Sequence, residues 1–120
     1  MQGMAIGALY AVLGVVYFTV GATTWPVGHD VWGAVHVAVG LGAVVACWRC
    51  HRHAVAVAGG IMLASLLLRA TSIAASMRWG SLALASDAAR DSGWVAIGNY
   101  TFAALALAVA WGPIVRATAP

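Results

Sequence analysis

Two cysteines and two histidines crowd into one short segment of the chain, "CWRCHRH". Cys47, Cys50 and His51 have the C-x-x-C-H spacing of a covalent c-type haem site. Together with His53, the same thiols and imidazoles could hold zinc in a tetrahedral site, and the two thiols alone could form a disulfide. The segment also fits a short positively charged turn between two membrane helices. Its side of a membrane decides between these interpretations.

The composition indicates an integral membrane protein. Of the 120 residues, 63% are hydrophobic and only 8% are charged, and the mean hydropathy is +0.94. A soluble domain of this size needs far more charge to cover its surface. All six positively charged side chains are arginine and all three acids are aspartate, a bias typical of a high-GC bacterium or one of its phages. The arginines are scattered, so we expect no nucleic-acid partner.

Four apolar stretches are long enough to cross a bilayer, which takes about 20 helical residues. They span residues 3–22, 31–48, 54–76 and 93–112, with Pro113 closing the fourth. The first stretch has no basic residue before it and is longer than the apolar part of a signal peptide, so we expect it to be retained. The sequence therefore predicts one all-α domain, an integral membrane four-helix bundle with short loops over residues 1–120.

The arginines predict an orientation, because short arginine-rich loops stay in the cytoplasm. Arg49, Arg52 and Arg116 fall at one end of such a bundle, whereas Arg78 and Arg90 fall at the other with acids beside them. This favours both termini in the cytoplasm and a multi-pass protein of the inner membrane. Tryptophans then mark both interfaces: Trp25, Trp32, Trp79 and Trp94 outside, and Trp48 and Trp111 inside.

This orientation weighs against cofactor chemistry at Cys47. Covalent haem attachment occurs on the outer side of the membrane, and a reducing cytoplasm disfavours a disulfide. Four zinc ligands within seven residues, Cys47 to His53, would be cramped. A positive turn with solvated histidines is the favoured interpretation, and we expect no cofactor. The haem or metal site stays a remote alternative.

Each helix should carry one stripe of small or polar residues, since positions about 100° apart can be sorted by face. The first two stripes are rich in glycine, which lets helix backbones approach closely in a membrane. We predict packing roles for Gly3, Gly7, Gly14 and Gly21 in the first span and for Gly33 and Gly40 in the second. The fourth span should turn Asn99, Ala103, Ala106 and Ala110 inward.

Arg69 is a cation in the middle of the third span, where a charge is costly and marks either function or a side chain that reaches for water. By helical rise, His36, Asn99 and Tyr17 fall at a similar depth, and Ser72 shares the face of Arg69. In one interpretation Arg69 is structural, and neighbouring polar groups or water accept the hydrogen bonds of its guanidinium. In the other, Arg69 and these neighbours form a polar layer that binds an anion or a lipid phosphate.

No catalytic motif is present in the sequence: there is no nucleophile elbow, no H-E-x-x-H and no phosphate loop. We therefore expect a non-enzymatic membrane protein, an accessory, assembly or envelope-modulating subunit that contacts other membrane proteins or copies of itself. The alternative is an oligomeric pore or carrier, holin-like or anion-conducting, that uses the layer around Arg69. Residues 81–92 could form a short helix lying on the membrane surface.

Overall fold

The computed structural model describes residues 1–24, 29–49, 51–79 and 87–118. These ranges form four α-helices and contain no strand: α1 (Gln2–Thr24), α2 (His29–Arg49), α3 (Arg52–Trp79) and α4 (Asp87–Ala117). The shortest has 21 residues, about 32 Å at the helical rise, which matches a bilayer core of about 30 Å. All four helices are long and apolar enough to cross a membrane. The predicted all-α fold is confirmed, with four helices that are long and apolar enough to span a membrane.

The fourth helix is longer at both ends than predicted. It begins at Asp87, whose carboxylate accepts a hydrogen bond from Arg90 at 2.9 Å within the first turn. It also continues through Pro113 to Ala117, so Pro113 does not close it. A proline removes one backbone donor, a loss that membrane helices tolerate. Of the expected surface helix, residues 87–92 belong to α4, and residues 81–86 lie outside the described part.

One end of the bundle gathers both chain termini and the turn between α2 and α3. Arg52 donates from Nε to the Thr118 carbonyl at 3.1 Å and from Nη2 to the Arg116 carbonyl at 3.0 Å. It thereby satisfies carbonyl groups left free where α4 ends, and its charge suits the negative end of the helix dipole. Met1, Cys47 and Thr118 line one cavity at this end. Both termini therefore lie on the same side of the bundle.

The bundle consists of two hairpins packed side by side. α1 packs most extensively against α2, and α3 packs against α4. Contact between the hairpins is sparser, with α2 against α3 on one side and only the briefest approach of α1 to α4 on the other. The molecule measures 50 × 23 × 17 Å, with its long axis able to span a bilayer. The two seams between hairpins are where the helices leave space.

Glycines bring α1 and α2 into backbone contact. A methyl group on Gly14 would lie 2.7 Å from the Gly33 carbonyl oxygen, and one on Gly40 would lie 2.6 Å from the Gly7 carbonyl oxygen. No side chain fits at such distances, so glycine is required for these helices to pack this closely. A methyl group on Gly3 would meet the Cys47 sulfur at 2.6 Å. The packing of Gly21 lies outside what the structure describes.

The second hairpin is held by a tryptophan rather than by facing glycines. The Trp111 indole lies directly against Gly59, where any side chain would overlap it. Its Nε1 donates to the Val55 carbonyl at 2.8 Å. Trp111 is buried, which corrects its predicted place in an interfacial belt, and the reason is that its N–H has a partner inside the bundle. Trp48 is exposed near a helix end.

The core runs along the axis between the two hairpins. It combines aliphatic side chains with tyrosine and tryptophan, and its buried members are Tyr10, Tyr17, Ala43, Val55, Met62, Leu66, Ala70, Ile73, Tyr100, Ala104, Leu107 and Trp111. Polar atoms of these rings find acceptors across the bundle. The Tyr10 hydroxyl, for example, donates to the Met62 carbonyl of α3 at 3.2 Å. Such bonds join α1 to α3 across the diagonal of the bundle.

Candidate functional site

Polar and aromatic side chains from all four helices contact one another inside the bundle, away from the chain termini. We call this group the aromatic–arginine cluster, and its members are Tyr10 and Tyr17 of α1, Trp32 and His36 of α2, Arg69 of α3, and Tyr100 of α4. Arg69 is the one member with a formal charge. A single charge surrounded by aromatic groups inside a membrane bundle is costly to bury, which makes the cluster the candidate functional site.

Arg69 is only 3% exposed, so it does not reach out to water. Its Nη2 donates to the Tyr17 hydroxyl. Its guanidinium carbon lies 5.0 Å from the centre of the Tyr17 ring and 5.6 Å from that of the Trp32 ring. Cation–π contacts of this kind gain strength when the cation is desolvated. The arginine is thus held by rings from α1 and α2.

His36 fills the centre of the cluster and is fully buried. Its Nε2 lies 3.4 Å from the Tyr100 hydroxyl, and the Tyr10 ring meets it edge-on with centroids 5.0 Å apart. Its Nδ1 has no hydrogen-bond partner among the described residues. The imidazole therefore links α2 to α4 through Tyr100 and packs against α1 through Tyr10.

The predicted polar layer is brought together in part. Tyr17, His36 and Arg69 converge, and Ser72 is half-buried one turn along α3 from Arg69. Asn99 instead is exposed and lines a cavity beside Tyr17. The structure therefore places Asn99 at the edge of the cluster, not inside it.

The face of α4 explains this difference. The inward residues are Tyr100, Ala104, Leu107 and Trp111, not the predicted small-residue stripe that begins at Asn99. The helix is rotated by one residue, because large rings bury more apolar surface than alanines do and their polar tips find partners inside. Sequence reasoning missed Tyr100 for that reason. The sequence does contain a sign of this inward face. Tyr100 and Trp111 are 11 residues apart, which is about three helical turns, so both rings lie on the same side of the helix.

The Cys/His turn has a different environment. Cys47 is half-buried beside Gly3, and His51 and His53 are exposed. Cys50 is outside the described residues. Among the residues that are described, no three His, Cys, Asp or Glu side chains come together as metal ligands. The turn's clearest role here is that of Arg52, which caps α4.

Each seam between the hairpins carries a groove at the surface of the bundle. The α2–α3 groove has a volume of about 430 Å³ and is lined by residues without polar side chains: Ala38, Val39, Gly42, Ala43, Ala46, Ala54, Val57, Ala58 and Ile61. The α1–α4 groove consists of two cavities, of about 310 Å³ and 220 Å³, that share Leu13 and Ala103. The second of these cavities reaches Tyr17 and Tyr100 of the cluster.

Comparison with known proteins gives no relative. No family model, no curated protein and no solved structure matches this chain.

Proposed function

We propose that this protein is a non-catalytic subunit of the membrane that acts through helix–helix contacts, in assembly or in modulating the cell envelope. The main observation in support of this proposal is the α2–α3 groove. Its walls are mostly alanine, valine and glycine, and a methyl group on Gly42 would have nothing within 4 Å. Membrane helices associate where small residues let another helix approach closely. The groove offers such a surface on the outside of the bundle.

Gly42 differs from the glycines inside the bundle. Gly14, Gly33 and Gly40 each have backbone atoms of the opposite helix within 3 Å of where a side chain would begin. Gly42 has no neighbour that requires glycine, although glycine in a helix costs about 1 kcal/mol relative to alanine. If a helix of another molecule docked against Gly42, close packing would require glycine there, as it does at the glycines inside the bundle.

The occupant that fits is α4 of a second copy. Large side chains at Val95, Phe102 and Val109 are exposed along α4 at seven-residue spacing and form a straight ridge. The ridge points away from the core, and α4 lies diagonally across the bundle from α2. Inserting the ridge of one copy into the α2–α3 groove of the next gives a head-to-tail contact, which repeats to form rows or rings.

A ring makes the oligomeric pore or carrier our second candidate function. The interior of one bundle is filled by the core and the aromatic–arginine cluster, so conduction would have to pass between copies. A holin-like protein is one form of this candidate. A flux of chloride across vesicles that rises with the number of copies per vesicle would favour it.

We further propose that both termini face the cytoplasm of an inner membrane. Arg52 lies against the end of α4 that carries Arg116, and Arg49 ends α2 at the same end of the bundle. This collects three arginines at one surface, in keeping with the positive-inside rule. A membrane-impermeant maleimide on intact cells should leave a cysteine introduced at His53 unlabelled. Labelling from outside would reverse the orientation.

Replacing Gly42 with leucine tests self-association. The side chain would fill the groove, so we expect the association constant to fall by about tenfold, or about 1.4 kcal/mol. Gly60→Leu is the matched control, because Gly60 is also exposed with nothing within 4 Å of an added methyl group but does not line the groove. Subunit number would be counted by single-molecule photobleaching in vesicles.

Equal subunit numbers for both variants and the unaltered protein would contradict a contact at the groove. A wild-type chain that is monomeric at every protein-to-lipid ratio would contradict self-association and leave a helix of another membrane protein as the occupant.

A further inference from the structure

The α1–α4 groove differs from the α2–α3 groove because polar side chains lie at one of its ends. Its two cavities share Leu13 and Ala103 and so follow one another along the seam. α1 and α4 scarcely touch there, which leaves the groove open along its length. A molecule could enter it sideways from the bilayer without the hairpins separating.

The two ends of this groove differ in the polar groups that they offer. The larger cavity is almost wholly apolar and extends toward Ile6 and Ala110. The smaller one ends at Tyr17, Asn99 and Tyr100. A ligand that fits both must be apolar along most of its length and polar at one end.

Arg69 determines which polar end the groove prefers. It donates to the Tyr17 hydroxyl, which leaves the hydroxyl's own hydrogen free to donate to a further acceptor. A hydrogen bond received from a cation polarises the hydroxyl and strengthens the next bond in the chain. At 3% exposure the arginine is screened little by water, so its field favours a negative charge near Tyr17. The exposed Asn99 amide can add a second donor.

The length of the groove limits the apolar part. From Ile6 to Tyr17 the helix rises about 16 Å, roughly half of a 30 Å bilayer core. One hydrocarbon chain of a single leaflet has this length. Two chains side by side would need a wider opening than cavities of about 310 Å³ and 220 Å³ provide.

We propose that the α1–α4 groove binds a single-chain amphiphile with an anionic head group, a carboxylate or a phosphate monoester. The chain lies along Leu13 and Ala103, and the head group accepts hydrogen bonds from Tyr17 and Asn99. Arg69 is a positioning residue that acts through Tyr17. This inference does not rest on the proposed self-association, since it concerns the opposite seam.

The test uses the purified full-length chain with palmitate, hexadecyl phosphate and uncharged hexadecanol as probes, measured by native mass spectrometry. We expect both anions to bind about tenfold more tightly than the alcohol, because their acceptors carry charge. Tyr17→Phe keeps the ring and removes the donor, so it should lower this preference to about threefold or less. Ala103→Leu should weaken binding of all three probes, and Val12→Leu, on the exposed face of α1, should change nothing.

Three results would overturn the proposal. Equal affinity for hexadecanol and the anions would remove the head-group argument. An unaltered preference in Tyr17→Phe would remove the hydroxyl from it. Inorganic phosphate that competes as well as hexadecyl phosphate would show a site for a free anion with no use for a chain. Since Tyr17→Phe preserves the ring packing, its binding can be read even if Ala103→Leu fails to fold.

Discussion

The two grooves occupy equivalent places in the bundle and differ in what lies behind them. The α2–α3 groove is lined by small apolar residues and holds Gly42 with open space beyond it. The α1–α4 groove runs from an apolar stretch to Tyr17 and Tyr100, behind which Arg69 lies buried. The two proposals follow this difference: we assign a helix as the ligand of the α2–α3 groove and an amphiphile as the ligand of the α1–α4 groove.

The difference shows that open space along a membrane bundle is not by itself a binding site. A bilayer fills any apolar groove with lipid tails, so a groove gains selectivity only through features that lipid tails cannot match. In the α2–α3 groove that feature is a wall made mostly of small residues. In the α1–α4 groove it is the polar end near Arg69. Each feature can be removed alone, which makes the comparison testable.

The largest effect should come from the hairpin that frames both grooves. Gly14→Leu would drive a side chain into the backbone of α2, where even a methyl group would meet Val37 N at 2.6 Å. We expect a loss of about 3 kcal/mol in the free energy of unfolding, at the upper end for overpacked interiors. Thermal unfolding in detergent would measure it.

Gly60→Leu makes the same chemical change at an exposed helical position with nothing within 4 Å of an added methyl group, so it should not lower the free energy of unfolding. Loss of both grooves' ligands together in Gly14→Leu would follow from the loss of the shared frame. Equal unfolding temperatures for the two variants would show that α1 and α2 are not in backbone contact.

Arg69→Leu should separate the two grooves. An apolar side chain of similar volume often replaces a buried charge without loss of stability, so we expect a change of about 1 kcal/mol or less. Binding to the α1–α4 groove should lose its preference for palmitate over hexadecanol, whereas the number of subunits should stay the same. Arg69→Lys should recover part of the preference, because it restores the charge without the planar fork of donors.

The same probe titrations and photobleaching counts check this variant. An Arg69→Leu chain that no longer expresses, while Arg69→Lys does, would make the arginine a structural requirement. A preference for palmitate that survives in Arg69→Leu would break the link between the charge and the groove.

Tyr10→Phe should give the smallest effect. It removes the hydroxyl that donates to the Met62 carbonyl across the bundle and leaves the ring against His36 in place. Bonds of this kind in membranes contribute about 0.6 kcal/mol on average, so we expect a loss near that value. Neither groove should change its ligand. A loss of several kcal/mol in thermal unfolding would mean that the bond between α1 and α3 contributes far more to stability than an ordinary hydrogen bond in a membrane.

The helices themselves could be predicted from hydropathy alone, because spanning a bilayer imposes a length and a composition that few other structures share. The glycines of α1 and α2 could also be assigned to one stripe on each helix, from their spacing along the chain. Their partners could not, since a stripe marks a close approach without saying which helix approaches. The contact of Gly14 with Gly33 appears only in three dimensions.

The face of α4 was predicted wrongly for a physical reason. Small and polar residues such as Asn99 and Ala103 were expected inside, by analogy with the glycine stripe of α1. Tyr100 and Trp111 took that place because their rings bury more apolar surface and their polar atoms find partners inside the bundle, His36 for Tyr100 and the Val55 carbonyl for Trp111. The apolar surface buried by these rings thus outweighed the small size and polarity of the Asn99 stripe. The face of α4 that carries Asn99 therefore lines the α1–α4 groove, where we propose a binding site.

One measurement tests the central claim that the two seams act separately. Native mass spectrometry of the full chain with palmitate reports subunit number and bound amphiphile in the same spectrum. We expect Gly42→Leu to lower the subunit number and retain palmitate, and Ala103→Leu to retain the subunit number and lose palmitate. A variant that loses both, or two variants that each keep both, would contradict the account.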